Sequence, residues 1–163
     1  MTPKAADPTR YKLHVVSFSV MREPAPSVPR PPSHSRPRLN DPAAVASLAR
    51  QIIADDAKEH FWTLMLDAQN GLVAAHEVST GTLSASLVHP REVFGPALRV
   101  LGVASVVLVH NHPSGDVTPS REDLRLTRQL VESGKLLDIP VHDHVIVGSG
   151  TQDYTSLAAT GAF

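Results

Sequence analysis

Val109-His110-Asn111-His112-Pro113-Ser114-Gly115 follows an apolar run, residues 103–109, in which valine dominates. A short apolar run rich in β-branched residues reads as a buried strand. In extended backbone, side chains two apart share a side, so His110 and His112 present two imidazoles together. Pro113 and Gly115 end the strand and turn the chain. Pro119-Ser120-Arg121-Glu122-Asp123 then opens an amphipathic helix, with Asp123 in its first turn. Two histidines at a strand end and one carboxylate at a helix start make a three-ligand metal site. Neutral imidazole and carboxylate suit Zn²⁺, one ion per chain, and three protein ligands leave a fourth position for water. Taken alone, the two histidines would read as a hydrogen-bonded pair at a strand end; Asp123 in register favours metal.

Outward from this stretch, the chain alternates strands and helices. Asp41-Pro42 starts a helix, a capping carboxylate ahead of proline, with an apolar stripe through about Ala57. Residues 61–66 read as a strand, residues 67–71 as a hairpin turn with an Asn-Gly signal, and residues 72–78 as the return strand. Pro90 opens a helix to about Leu101 in which Pro96 marks a kink or a late start, and Gly102 ends it. A helix over 120–134, with Gly134 as its stop, and a strand over 141–147 follow. The tail at 153–157 docks back. This order predicts an α/β sandwich around a mixed sheet.

The 163 residues are 42% apolar and 19% charged, which describes one ordinary domain with an appendage. A net charge of −1 gives no global pull toward nucleic acid or anionic lipid. The absence of cysteine excludes disulfides and thiolate ligands or nucleophiles. No apolar run approaches the ~20 residues that span a bilayer. The opening residues lack the apolar core of a signal peptide. A cytoplasmic setting with no membrane partner is the expectation. Residues 1–40 stand apart, with eight of the 14 prolines, seven Lys/Arg and two Asp/Glu. Residues 11–20 alternate with a phase break at Val15-Val16, as in an edge strand carrying a bulge. Residues 23–38 read as a Pro/Arg-rich linker, so the main domain is expected over 41–163.

The spacing H-x-H, seven residues, S, two residues, D resembles the metal motif of the JAMM (MPN-plus) metallohydrolases. His110-Asn111-His112-Pro113-Ser114-Gly115-Asp116, Gly81-Thr82, His89-Pro90-Arg91-Glu92-Val93-Phe94 and Asp143-His144-Val145-Ile146-Val147-Gly148 are similar to the RadC branch in particular. The resemblance implies a mixed sheet between helices, with cytidine-deaminase-like layering. It implies Zn²⁺ on His110, His112 and Asp123, and a glutamate upstream of the histidines that activates the water. Glu59, just ahead of the first strand, is the favoured candidate; Glu77 competes, and Glu92 reads as a helix-start residue. By the same resemblance Ser120 helps hold the developing oxyanion, while Ser120-x-x-Asp123 also reads as a capping box.

His142 and His144 repeat the two-residue spacing on the last long strand. They read as structural histidines, a second metal pair, or a support behind the first site. Asp116 reads as a turn residue. The implied activity is attack on a peptide or isopeptide carbonyl. Two other readings stay open: a nucleic-acid-associated factor or nuclease using Arg30, Arg36 and Arg38 of the basic arm, linked to DNA repair or mobile elements, and an interaction module in which zinc only stabilises the fold. A homodimer is also left open.

Overall fold

A computed structural model describes residues 36–53, 55, 57–81 and 88–163. The expected strand at 11–20 and all but the last residues of the expected linker lie outside them.

The elements run α1 (Pro42–Ile52), β1 (Glu59–Leu66), β2 (Leu72–Gly81), α2 (Pro90–Ala97), β3 (Ser105–His112), α3 (Arg121–Leu136), β4 (Val141–Gly148) and β5 (Tyr154–Ser156). Among the described residues the strands form one sheet in the order β2-β1-β3-β4-β5. β1 pairs antiparallel with both β2 and β3, β3 pairs parallel with β4, and β5 returns antiparallel to β4. The parallel pair requires a crossover, and α3 supplies it.

Both faces of the sheet are covered, and side-chain parity sorts them. Val106 and Leu108 of β3 join Phe61, Phe94, Leu126 and Leu130 in the core beneath α2 and α3. Val107 and Val109 join Leu64, Leu66, Val45 and Ala49 in the core beneath α1. Burial on both sides explains why residues 105–111 of β3 are all buried and why the run is continuous rather than alternating. Parity carries on past Val109. His110 and His112 fall on the α3 side, and Asn111 on the α1 side.

The hairpin turn falls at residues 67–71 as expected: Asn70 takes a left-handed φ of 59°, and the Asp67 carboxylate accepts from the amides of Gln69 and Gly71. Residues 37–39 run beside this hairpin, with Arg38 bridged to Gly71 and Leu39 buried in the α1 core. This places ordered structure ahead of the expected start at 41.

Each of the three helices ends at a different residue from the sequence expectation. α1 stops at Ile52 rather than near Ala57, because Asp55 draws the amide of Ala57 onto its carboxylate and the amide of Lys58 onto its carbonyl, which closes a turn. α2 ends at Ala97 rather than near Leu101; in the residues that follow, Val100 packs against the core while Leu98 and Leu101 are 60% and 95% exposed. Gly134 is not the stop of α3, which continues to Leu136. A Cβ at Gly134 would lie 2.5 Å from the Ile139 carbonyl oxygen and 3.1 Å from Phe94 Cζ. The glycine is there for close approach, and Asp138, with a φ of 56°, makes the left-handed turn instead.

Candidate metal centre

β3 is longer than its apolar run suggested. Pairing with β1 reaches Phe61↔His110, and pairing with β4 reaches His112↔Gly148, so both histidines belong to the strand itself. Phe61 lies parallel to the His110 ring, centroids 6.1 Å apart, and meets His144 edge-on at 5.4 Å. Beyond His112 the chain turns at Gly115, which has a φ of 82°. That turn sits against Gly148, where any Cβ would come within 2.5 Å of the Gly115 carbonyl oxygen.

α3 brings the carboxylate. Ser120 caps the helix: its Oγ accepts from the amide of Asp123, and Asp123 Oδ2 accepts from the amide of Ser120 at 2.7 Å. This reciprocal box holds the Asp123 carboxylate toward the histidines. The three residues converge. His110 Nε2 and His112 Nε2 are 3.0 Å apart, Asp123 Oδ1 is 3.4 Å from His110 Nε2, and Asp123 Oδ2 is 3.6 Å from His112 Nε2. A four-coordinate ion bonded at about 2.0–2.1 Å sets its ligand atoms roughly 3.3 Å apart, and these contacts, made through both carboxylate oxygens, lie on either side of that spacing. His110, His112 and Asp123 are therefore a group that could hold a metal ion.

The tautomers follow from the hydrogen-bond network. His112 Nδ1 is 2.6 Å from the carbonyl oxygen of Asp116, which can only accept, so Nδ1 carries the proton and Nε2 is the atom turned to the site. His110 is fixed by a longer relay. Thr127 donates its hydroxyl proton to the Asp123 carbonyl at 2.6 Å, so its oxygen accepts from His144 Nδ1–H. Neutral His144 then has a bare Nε2, which accepts from His110 Nδ1–H at 2.8 Å. His110 Nε2 is left with a lone pair.

Burial keeps both inner rings neutral. It lowers the His110 pKa to about 4, against the pull of Asp123, and pushes His144 well below its ordinary range. His112 goes the other way: the Asp123 carboxylate beside its Nε2 raises its pKa over the opposing effect of burial, and Glu59 adds to the rise. Burial alone would push the Asp123 carboxyl up; His112, His110 and Ser120 outweigh it and hold the group well below the usual carboxylate range. With both Nδ1 atoms protonated outward, the two Nε2 lone pairs face one another at hydrogen-bond distance. That arrangement needs a cation between them, a proton or a metal ion.

The centre opens into a cleft of about 780 Å³ lined by Lys58, Glu59, Gly81, His112, Ser120 and Asp123. Glu59 begins β1, and its parity puts it on the side of Phe61 and the histidines. Glu77, the competing glutamate, is held by His60 Nδ1 and the Thr80 hydroxyl, which lower its pKa. It does not line this cleft. Glu92 is exposed on α2 beside Arg91. His142 is exposed and is not joined to His144, so the two form no second pair. Asp116 caps its own turn, accepting from the amide of Thr118. Of the arm arginines, Arg36 pairs with Asp67 at 3.6 Å and Arg38 bonds Gln69 on the hairpin; Arg30 lies outside the described residues.

Residues 39–162 match the RadC-like JAB domain family. The chain belongs to the RadC-like JAB-domain family. It is 52% identical over 124 residues to a UPF0758 protein of Rubrobacter xylanophilus, covering 76% of this chain and 53% of that protein. A UPF0758 protein of Desulforamulus reducens is 45% identical over 130 residues, 80% of this chain and 56% of its own length. One from Methanosarcina mazei is 48% identical over 124 residues, 76% and 53% respectively. This RadC-like chain thus spans about half the length of the curated relatives it matches. The mixed sheet between helices agrees with the family. Among the described residues, no helix is long and apolar enough to cross a membrane.

Two residues that shape the centre escaped the sequence reading. Thr127 lies four residues after Asp123, one helical turn along the same face, and that spacing was a usable signal. Asn111 sits between the two histidines on the opposite face of the strand, where its partners depend on a strand some 50 residues earlier, as its bond to His60 shows.

Proposed function

We propose that this chain is a zinc-dependent hydrolase that cleaves amide bonds of the peptide or isopeptide type. The observation that supports this best is the meeting of two bare Nε2 atoms and one carboxylate at the wall of a cleft that Glu59 and Ser120 also line. Imidazole and carboxylate donors suit zinc. A zinc ion held by His110, His112 and Asp123 would polarise the scissile carbonyl and acidify a water.

Glu59 takes a proton from the attacking water as the new C–O bond forms. It returns that proton to the amide nitrogen as the C–N bond breaks, so the products are a carboxylic acid and an amine. Ser120 uses its Oγ lone pair to cap α3, which leaves its O–H able to donate to the carbonyl oxygen as negative charge grows there. Asp123, fixed by the same cap, neutralises charge at the centre. The relay through His144 and Thr127 keeps His110 in the tautomer that binds metal.

Zinc-loaded full-length chain, screened against peptide and isopeptide-linked substrates, tests the reading. Glu59→Gln is expected to retain zinc and lose turnover by roughly 10²–10⁴-fold, the usual weight of a general base. His112→Ala is expected to lose the metal. Unchanged turnover in Glu59→Gln would refute the mechanism.

A further inference from the structure

Between the two histidines, the Asn111 side chain crosses to the α1 face and is 1% exposed. A buried amide must find partners, and which ones it takes is informative. Its Oδ1 accepts from the amide of His60 at 2.8 Å. Its Nδ2 donates to the carbonyl of Lys58 at 2.8 Å and to Ser149 Oγ at 3.0 Å. The Lys58 carbonyl and the His60 amide belong to the two peptide groups that flank Glu59. One side chain therefore grips Glu59 on both sides.

This grip stands where the strand ladder stops. The paired residues of β1 and β3 end at Phe61↔His110. Beyond that point a side-chain amide replaces the backbone pairing, and it issues from the residue between the histidines. The third bond ties the grip to the loop after β4, and the amide of Ser149 in that loop donates to the His112 carbonyl at 3.0 Å. Histidine pair, Asn111 and the backbone of Glu59 are thus one hydrogen-bonded unit.

We infer that Asn111 is a positioning residue that registers the Glu59 carboxylate against the histidine pair by clamping both peptide groups of Glu59. The inference rests on the proposed role of Glu59 and adds the device that sets its position. A base displaced by about 1 Å loses on the order of a hundredfold in rate, so such a device carries functional weight. Asn111 itself touches no substrate; it acts through the backbone.

The test uses the full chain loaded with one Co²⁺ per chain, following the visible absorption of the cobalt site against pH. Glu59→Gln removes a carboxylate that favours neutral water over hydroxide, and is expected to lower the midpoint by about one unit. Asn111→Ala, with cobalt retained, is expected to move the midpoint in the same direction. The double variant is expected to move it no further than Glu59→Gln alone. An Asn111→Ala midpoint equal to wild type overturns the clamp. So does an equal Asn111→Ala shift in the presence and absence of Glu59, because a merely structural asparagine would act on both alike. If Asn111→Ala fails to fold, Asn111→Ser is read by the same criteria; it adds no charge and is too short to hold both Lys58 and His60. A Glu59→Gln midpoint at the wild-type value overturns the role of Glu59, and the clamp with it. A normal Glu59→Gln shift beside an unmoved Asn111→Ala midpoint overturns the clamp alone.

Discussion

Thr127→Val probes the relay that fixes the tautomer of His110. Valine matches threonine in shape and removes only the oxygen that links His144 Nδ1 to the Asp123 carbonyl. Two responses are open to the buried ring. His144 keeps its Nδ1 proton with no acceptor, which costs about 1–3 kcal/mol for a buried donor. Otherwise it moves the proton to Nε2, which then confronts His110 Nδ1–H at 2.8 Å. Relief of that clash puts the His110 proton on Nε2, the atom turned toward His112 and Asp123. The second arrangement leaves no buried donor unpaired and is the one the metal-free variant takes, so metal binding has to reverse it, and an indirect ligand support of this kind is worth about 10–100-fold in affinity. A zinc titration against a competing chelator is expected to show a loss of that size, about 1.4–2.8 kcal/mol. Thr127→Ser, which restores the oxygen, is expected to recover most of it. Wild-type zinc affinity in Thr127→Val, whatever its thermal stability, would refute the tautomer argument.

Acid lowers the stability of the metal-free protein through its buried histidines. The folded His110 pKa, about 4, lies below the ordinary 6.5, so the folded state resists a proton that the unfolded chain accepts. The stability concerned is fully present above pH 6.5 and drains as pH falls toward 4, by on the order of 3 kcal/mol from His110 alone. His144 acts in the same direction. His112, with its raised value, contributes below 6.5 and loses its contribution only as pH rises through that raised pKa. Urea unfolding across this window is expected to show the decline, with a shallower slope in His110→Gln; a flat profile would contradict it. Gly134→Ala is expected to destabilise by about 1–3 kcal/mol in the same assay, despite alanine's helix propensity, because the added methyl meets Ile139 and Phe94. A gain in stability would show that the α3–β4 connection can shift to make room.

The sequence carried much of this because the centre is built from short-range periodicities. Two-residue spacing puts His110 and His112 on one side of a strand, and a capping box fixes Asp123 in the first turn of a helix. Both are local, so no knowledge of the sheet was required. Glu59 was harder, since its place depends on how β1 registers against β3; family resemblance suggested it, and its side of the sheet was legible only once β1 was laid down. Asn111 could not be read at all, because its role depends on which two peptide groups a distant strand lays beside it. Gly134 misled for a related reason: a glycine near a helix end has the same appearance in sequence whether it stops the helix or admits a neighbour. The early end of α1 turned on Asp55 competing for backbone amides, an effect that an apolar stripe does not register.

The most direct test of the central claim is a crystal structure of zinc-loaded protein with anomalous scattering at the zinc edge. A single peak bonded to His110 Nε2, His112 Nε2 and an Asp123 carboxylate oxygen, each at about 2.0–2.2 Å, is the expected result. A peak elsewhere, or one bonded through Nδ1 of either histidine, would contradict it.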